Sequence, residues 1–369
     1  MTTAEPTQRQ FPCERCGAAL AYRPGTVSLV CPYCGQQQSL GDAEVSRTKH
    51  DFGAYYGSHP APVASLPPFS LSCAGCGTSV QRPDLSARCP SCTAPLVALD
   101  DLAGRLHPPD AALPFAVDNA AAQKHFADWT GSRWFAPNGL KKVARTQSLH
   151  PNYLPHWGFD DDTTSDYRGE RGEYYYVTET YTTTENGRSV TRTRQVRHTR
   201  WHRAQGRVSR RFVDLVVPGT TQVPADDLDE LGPWQIEQAR PFEAALLAGV
   251  DTPRYDLDAA TDGWQAARSA MAPVIEQDCR HDIGGDEQRV HEVSTHDRDV
   301  LFRLLLLPLW LATYVYAGTT FRVYVNANTG EVVGARPYSW IKISLTVLLA
   351  LALVAGAVLL YRSGATGTG

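Results

Sequence analysis

Three observations predict an α+β chain with two small N-terminal modules, a folded body and a C-terminal membrane segment. Eight of the nine cysteines form four C-x-x-C pairs within the first quarter of the 369 residues. The middle of the chain mixes strand-like runs rich in Tyr, Thr and Val with helix-like periodicities. An uncharged apolar run near the carboxyl end is long enough to cross a bilayer. We therefore expect two zinc ribbons, a body with a mixed antiparallel sheet and helices, and one transmembrane helix.

The cysteine spacing predicts two tetrahedral zinc sites. Zinc favours four thiolates, and two cysteines separated by two residues can face one ion from a tight turn. A glycine, which tolerates the backbone angles of such a turn, follows three of the pairs, and Thr93 follows the fourth. We assign one ion to a ribbon within residues 1–40 and one to a ribbon within residues 71–100. The predicted ligands are Cys13, Cys16, Cys31 and Cys34 for the first ion, and Cys73, Cys76, Cys89 and Cys92 for the second.

A structural zinc ion is favoured over the other uses of paired cysteines. Disulfides suit secreted chains, whereas the sequence after Met1 lacks the apolar core of a signal peptide. Iron–sulfur proteins usually space their cysteines more closely. Four thiolates fill the coordination sphere and leave no position for a catalytic water. A segment as short as Cys13–Cys34 buries too little apolar surface to fold alone, so the metal would supply the missing stability.

The domain boundaries follow from composition. The Pro-rich stretch HPAPVASLPP lies within a predicted linker at 41–70. The α+β body is predicted at 101–340, and it begins with the boundary sequence RLHPPDAALP.

Two helices and a meander are predicted within the body. Asp118 could cap a helix that runs to about Trp129. A helix at 258–281 has one apolar face, on which Cys279 should be a core thiol, and Pro273 should kink this helix or end its first half. Further on, the pattern from Leu304 to Val333 predicts strands joined by tight turns.

A long β-hairpin is predicted around Asn186-Gly187, a pair that favours the type I′ turn. This turn would place Glu179 opposite Arg194 and Glu185 opposite Arg188, so opposed charges would support the register.

The outgoing strand of this hairpin is the one cationic concentration in the sequence. Between Arg188 and Arg211 there are nine arginines and no acidic residue. A surface for anionic lipid or nucleic acid is one interpretation. A solvated hairpin, balanced by nearby acidic side chains, is the interpretation we favour. The candidate residues for an anionic partner are Arg188, Arg192, Arg194, Arg197, Arg200 and Arg203.

A membrane span is predicted at 341–362, followed by a short tail at 363–369. Nineteen residues from Ile343 to Tyr361 carry no charge, and at about 1.5 Å per residue they match a hydrocarbon core of about 30 Å. A second apolar run, Leu304–Ala317, has only 14 residues and contains Pro308, so it is better interpreted as a buried strand.

The orientation follows from the cysteines and from the basic residues beside the span. Reduced thiolates suit the cytosol. Two basic residues, Arg336 and Lys342, lie on the N-terminal side of the span and one, Arg362, on its C-terminal side, and an excess of basic residues marks the cytoplasmic side. We expect a single-pass protein of the inner (cytoplasmic) membrane with its N-terminal bulk in the cytoplasm.

No catalytic motif is found in the sequence, and we expect no enzymatic activity. The absence of any Gly-Lys dipeptide excludes a Walker A loop and with it an ATP-driven helicase motor. His291-Glu292 and His296 resemble a metalloprotease motif, but five residues turn a helix by about 500°, which puts the histidines on different faces. The acidic run Asp160–Asp162 is more typical of an exposed turn than of a cation site.

A set of motifs occurs in a fixed order along the chain: CERCG at 13–17, CPYCG at 31–35, CAGCG at 73–77, CPSC at 89–92, LPF at 113–115, RWFAPN at 133–138, YLPHWGFD at 153–160, YRGERGEYY at 167–175, GGDEQRV at 284–290, LPLWLATYVYAG at 307–318 and VNANTGEVVGARPYS at 325–339. This ordered set resembles a bacterial family of membrane-anchored proteins with two TFIIB-type zinc ribbons. Its members are often labelled primosomal protein N′ (replication factor Y) or superfamily II helicase, although helicase motifs are absent here. Thr93 and His156 depart from the expected pattern.

Two functional hypotheses follow. The first is a tail-anchored scaffold or adaptor that recruits cytosolic or envelope-maintenance proteins to the inner membrane, and the resemblance implies SPFH-type or phage-shock-type membrane proteins as partners. The second is a membrane-tethered nucleic-acid-binding protein that uses the Arg188–Arg211 hairpin. The second hypothesis predicts binding to nucleic acid that weakens steeply as the salt concentration rises, whereas the first predicts no binding to nucleic acid even at low salt.

Overall fold

A computed structural model describes most of the chain as two small β modules, a sheet-rich body and a C-terminal helix. The described residues are 11–41, 44–56, 68–73, 75–98, 106–137, 139–140, 148–185 and 188–365.

The N-terminal modules consist of short antiparallel strands. The first module is a three-stranded sheet, and the second holds two separate two-stranded sheets. Short strands suit modules whose stability comes from a metal rather than from a large core. In chain order the elements are β1 (Ala21–Tyr22), β2 (Ser28–Val30), β3 (Gln37–Ser39), β4 (His50–Asp51), α1 (Phe52–Tyr56), β5 (Phe69–Ser72), β6 (Ser79–Arg82), β7 (Ser86–Arg88) and β8 (Pro95–Val97).

The body is a mixed, mainly antiparallel sheet with the order β11-β10-β13-β14-β15, onto which β4, β9 and β12 add at one side. Among the described strands, β13 pairs with β9 in parallel, and a single parallel bridge joins Asn152 to Asp251. Two 3₁₀ turns, Ile236–Gln238 and Ala244–Leu247, and a π-helical turn, Ala259–Gly263, connect the larger elements. In chain order the remaining helices and strands are β9 (Ala111–Ala112), α2 (Asn119–Ser132), β10 (His150–Glu185), β11 (Arg188–Pro218), α3 (Ala225–Leu231), β12 (Arg240–Pro241), α4 (Trp264–Ile283), β13 (Glu287–Tyr316), β14 (Thr319–Asn326), β15 (Val332–Gly334) and α5 (Trp340–Ala365).

The predicted hairpin is confirmed and is longer than expected, since β10 has 36 residues and β11 has 31. Glu179 pairs with Arg194 and Glu185 with Arg188, as predicted. The Asn186-Gly187 turn lies outside the described residues. β13 accompanies β10 only as far as the pair Gly172–Glu287. From there to its tip the hairpin is a two-stranded ribbon, which we call the hairpin arm (residues 173–185 and 188–200).

The predicted meander is also confirmed. The apolar run beginning at Leu304 is a buried part of β13, in agreement with its interpretation as a strand. Ala317 and Gly318 form the tight turn to β14 with φ of 50° and 80°. Asp118 caps α2 by accepting a hydrogen bond from the N–H of Ala121 at 2.8 Å.

The helix predicted at 258–281 corresponds to a π-helical turn followed by α4. Pro273 lies within α4, and the helix does not end there. Met271, Ile275 and Cys279 face inward and pack with Tyr167 of the sheet. Cys279 is fully buried, as expected for a core thiol.

The interpretation of Asp160–Asp162 as an exposed turn is wrong. All three lie within β10, and Asp160 and Asp161 are only 9% and 2% exposed. The local sequence does not indicate this burial, because the basic partner of Asp160 comes from a distant segment. Lys49 contacts both carboxylate oxygens of Asp160, at 2.7 and 2.6 Å.

Part of the predicted linker at 41–70 is ordered against the body. β4 pairs with β13, so that His50 lies opposite Phe302. Phe52, the first residue of α1, is buried among Phe159, Trp264 and Phe302. Of the Pro-rich stretch HPAPVASLPP at 59–68, residues 59–67 lie outside the described residues.

The C-terminal helix α5 stands apart from the core. Its segment Trp340–Val358 is long and apolar enough to cross a membrane, and none of it is buried inside the protein. The start of α5 is fixed to the body, since the Lys342 ammonium donates to the carbonyls of Trp134 and Ala136 at 3.1 and 2.8 Å. This helix could therefore span a membrane.

Candidate metal centres

Each C-x-x-C pair forms a tight knuckle whose backbone holds the two thiols on the same side. In the first knuckle the N–H of Cys13 donates to the carbonyl of Ala18 at 2.7 Å, and the N–H of Gly17 donates to that of Cys13 at 2.8 Å. The same two bonds recur in the other three knuckles. The residue after the second cysteine takes a left-handed backbone, with φ between 61° and 74°. This geometry explains why glycine fills three of these positions.

The four thiols of each ribbon converge on one point. Their sulfur atoms lie within 4.8 Å of one another in both clusters. The shortest distances join the two knuckles, at 3.5 and 3.6 Å in the first ribbon and 3.4 and 3.6 Å in the second. A disulfide would bring sulfur atoms to about 2.0 Å. Tetrahedral zinc with bonds of about 2.3 Å separates them by about 3.8 Å. The thiols therefore fit zinc, and each cluster could bind one ion.

Backbone N–H groups favour the thiolate forms that zinc requires. The N–H of Cys34 hydrogen-bonds the sulfur of Cys31 and lowers the pKa of that thiol to about 6. In the second ribbon the N–H of Cys92 lowers the pKa of Cys89 in the same way. These bonds favour the thiolate, the form that ligates zinc, at one cysteine of the second knuckle in each ribbon. Although the backbone N–H groups of Ala18 and Ala94 favour the thiolates of Cys16 and Cys92, hydrogen bonds with neighbouring sulfur atoms outweigh them and raise the pKa of each of these two thiols to about 12.

Both ribbons are fastened to the same short segment of the body, residues 248–252. From the first ribbon, the N–H of Tyr22 donates to the carbonyl of Ala248 at 2.7 Å. From the second, Ser86 donates its hydroxyl to Val250 at 2.6 Å, and Arg88 donates to Gly249 at 3.1 Å. A groove of about 920 Å³ lies between the two ribbons and the body. It is lined in part by Phe11, Tyr33, Ala94 and Trp310.

The predicted basic residues lie along the hairpin arm and its base, where several stack on tyrosines. The guanidinium of Arg197 lies 4.2 Å from the ring centre of Tyr174, and that of Arg200 lies 5.0 Å from that of Tyr175. Arg194 is shared between Tyr181 and the carboxylate of Glu179. Arg188, Arg192 and Arg203 are also exposed on β11. The structure thus places all six candidates on one strand, with Arg188, Arg192, Arg194 and Arg200 on one face of the ribbon and Arg197 and Arg203 on the other, and both faces combine cations with aromatic rings.

The rejected metalloprotease motif and the unexpected His156 both find a structural explanation. His291 and His296 lie on β13 rather than on a helix. His156 is 2% exposed, and burial lowers its pKa to about 4, so this imidazole is neutral. Its Nδ1 lies 3.1 Å from the carbonyl oxygen of Leu154, a distance that fits an N–H donor. A neutral histidine can therefore replace the apolar residue expected at this position.

The comparisons with known proteins give one relative. No protein-family model matches the chain, and no solved structure matches it. An uncharacterized protein of Bacillus subtilis (strain 168), YdjG, is 23% identical over 333 residues, which cover 89% of this chain and 90% of YdjG. The similarity is therefore not confined to the cysteine-rich modules, and this chain is similar to YdjG over most of the length of both.

Proposed function

We propose that the protein is a membrane-anchored zinc-ribbon adaptor that recruits cytosolic proteins to the inner membrane. The observation that carries this proposal is the joint mounting of two four-cysteine modules on one body that also carries an exposed apolar helix. The motif resemblance to bacterial membrane proteins with TFIIB-type ribbons supports it. In this interpretation the N-terminal bulk lies in the cytoplasm, where the thiols stay reduced.

The ribbons act as recognition modules rather than as reaction centres. Four thiolates occupy every position of a tetrahedral ion, which leaves none for substrate or water. Their fixed attachment to residues 248–252 presents the outer face of both ribbons and the groove between them as one surface. Tyr33 contributes a side chain that is 80% exposed at this surface. Exposed aromatic side chains of this kind are common anchors of protein interfaces.

The hairpin arm extends away from the membrane end of the sheet. The Tyr316 end of β13 lies beside the start of α5, since the hydroxyl of Tyr314 donates to the carbonyl of Ala335 at 3.3 Å. The opposite end, Glu287, adjoins the base of the arm at Gly172. At about 3.3 Å per residue, β13 covers about 95 Å along the strand, and the arm adds about 40 Å. This separation favours a partner in the aqueous phase over the lipid of the same bilayer.

The test is a cross-linked pull-down from membranes with the full-length protein. The intact chain is compared with a Cys13→Ser/Cys16→Ser variant and with Tyr33→Ala, which leaves all eight ligands in place. Tyr338→Ala, which changes an exposed aromatic residue outside the ribbons, serves as the matched control. We expect the first two variants to lose partners that the control retains. Recovery of the same partners by all four proteins would refute recognition through the first ribbon.

Nucleic-acid binding is the second candidate, and the alternation of arginine and tyrosine on the hairpin arm favours it. Such surfaces bind single strands by base stacking and phosphate contacts. The test compares an Arg197→Gln/Arg200→Gln variant with Arg207→Gln, whose guanidinium already pairs with Asp166 at 2.6 Å. Binding of a single-stranded oligonucleotide that weakens with salt, and much more in the double variant than in the control, would support this candidate. No binding at low salt would exclude it.

A further inference from the structure

A third group of side chains that could bind a metal lies outside both ribbons, with one member between the ribbons in sequence and two after the second ribbon. It consists of His50, His107 and Asp110, whose ligand atoms lie within 4.8 Å of one another. Neither C-x-x-C spacing nor any other local motif indicates this group, since His50 and Asp110 are 60 residues apart. The fold brings them together because β4 pairs with β13 beside the loop that carries the other two.

The two imidazoles converge on a single carboxylate. Nε2 of His50 lies 2.7 Å from Oδ1 of Asp110, and Nε2 of His107 lies 2.8 Å from Oδ2. The side chains of His107 and Asp110 are only 7% exposed, whereas that of His50 is 39% exposed. The cluster is thus closed on the protein side and open to solvent at His50.

The surrounding residues hold the donor atoms in place. The N–H of Leu304 donates to Oδ2 of Asp110 at 2.7 Å, which fixes the carboxylate against β13. The N–H of His107 donates to the hydroxyl of Tyr255 at 2.9 Å. The ring of Phe302 packs against both imidazoles, with centroid distances of 5.8 and 5.4 Å. A carboxylate oriented by a backbone N–H is a support typical of metal ligands, and the ring of Phe302 limits the movement of both imidazoles.

We propose that His50, His107 and Asp110 form a third metal site, which binds a divalent transition metal such as Zn²⁺. Two neutral imidazole nitrogens and one carboxylate oxygen are a donor set that suits zinc. Each imidazole Nε2 now lies 2.7 Å (His50) or 2.8 Å (His107) from an oxygen of the Asp110 carboxylate. Bonds of about 2.0–2.1 Å in a tetrahedron place the ligand atoms about 3.3 Å apart. A metal held through Oδ1 of Asp110 requires only the 2.7 Å contact with His50 to widen, by about 0.6 Å, and the ring of His50, which is 39% exposed, can move that far toward solvent.

The proposed site differs from the ribbons in the number of coordination positions that the protein leaves open on the metal. Three protein ligands leave at least one coordination position for water or for a group from a partner. That position would lie on the open side, next to His50. A second exposed carboxylate or imidazole brought by another molecule could complete the coordination sphere, whereas the ribbon ions are already saturated.

The experiment is a metal titration of the full-length protein in detergent, with Zn²⁺ and with Co²⁺ as probes. The protein is first prepared with its two ribbon ions in place. We expect one further equivalent to bind, and with Co²⁺ we expect visible bands of nitrogen and oxygen ligation without additional thiolate-to-metal charge transfer. His50→Ala and Asp110→Asn should each weaken this binding by more than about 100-fold. His198→Ala, an exposed histidine of the hairpin arm, is the matched control and should behave like the wild-type protein.

A circular-dichroism spectrum and a thermal unfolding transition like those of the wild-type protein show that the body of each variant has folded. If the wild-type protein takes up no third equivalent, the cluster is only a pair of histidines hydrogen-bonded to Asp110, and the proposal is wrong. Binding of a third ion that survives in both variants would place it elsewhere and would also overturn the proposal. The adaptor function does not depend on either result.

Discussion

Replacement of Thr93 by glycine should tighten zinc binding in the second ribbon. Thr93 occupies the knuckle position after Cys92 with φ 61°, a left-handed conformation that is strained for a β-branched residue. The matching position of the same ribbon is Gly77, with φ 74°. One ribbon therefore contains both the strained and the relaxed form of the same turn.

The expected gain is small and can be worked out. A non-glycine residue in the left-handed region costs roughly 1–2 kcal/mol. Glycine has greater conformational freedom in the unfolded chain, and this offsets about 0.5–1 kcal/mol of the stabilisation gained by relieving the strain. Thr93 also donates its hydroxyl to the carbonyl of the preceding Cys92 at 2.7 Å, an exposed local bond whose loss should cost little. The net stabilisation is about 0.5–1 kcal/mol, or a two- to fivefold increase in zinc affinity.

The assay is competition with a zinc chelator, followed by cysteine alkylation and mass spectrometry of the peptide that contains Cys89 and Cys92. Protection of these thiols reports on the second ribbon alone. The matched control is Gly77→Thr, because a Cβ at Gly77 would meet no atom within 4 Å and the substitution therefore adds backbone strain without a clash. It should shift the competition in the opposite direction, and the variant with both changes should resemble the wild-type protein. Weaker zinc binding by Thr93→Gly, or no effect of either substitution, would show that knuckle strain does not limit the affinity.

Three further predictions concern the body and the membrane helix. Burial, and then the Asp297 carboxylate, raise the pKa of Asp161 from 3.8 to about 7, so the folded state favours the protonated carboxyl. The contribution of this proton to the free energy of unfolding is present below about pH 4 and is lost as the pH rises through 7. Asp161→Asn should thus raise Tm over the wild-type protein more at about pH 8 than at about pH 5, and an equal gain at both would contradict this. Arg303→Ala removes the 2.6 Å partner of Asp214 but leaves Lys49 at 2.9 Å, so it should cost about 1–3 kcal/mol in chemical denaturation. The exposed Arg207→Ala should cost clearly less, and similar losses would refute the difference. Removal of α5 should release the protein from membranes on fractionation with its zinc content unchanged, and retention in the membrane pellet would argue against α5 as the anchor.

The elements that the sequence predicts correctly depend on local patterns. A knuckle needs only two cysteines and a residue that accepts a left-handed turn, and both lie within five positions. The hairpin register follows from one turn, which sets every later pair, including Glu179 with Arg194. The cap of α2 at Asp118 and the turn at Ala317-Gly318 are equally local.

The features that the sequence does not reveal depend on partners far along the chain. Asp160 is acidic and neighbours two other acids, which on its own indicates solvent exposure. Its burial is possible because Lys49, 111 residues away, neutralises it. The same holds for the group around Asp110, whose members are recognisable only once β4 is placed on β13. Charge compensation across such distances has no periodicity that a sequence pattern could show.

These distant polar contacts also hold the segment between the two ribbons against the sheet. The segment between the two ribbons is held by Lys49, which bridges Asp160 and Asp214, and by Arg303, which donates to the carbonyl of Ser46 at 3.0 Å. Each of these groups is costly to bury alone, so the sheet keeps its charged core only while this segment stays in place. An adaptor needs such a coupling, because a partner held by a loosely tethered ribbon would have no fixed position relative to the membrane. Zinc would thus determine whether each ribbon is folded, and the bonds to residues 248–252, together with the ion pairs of the intervening segment, would determine where the ribbons are presented.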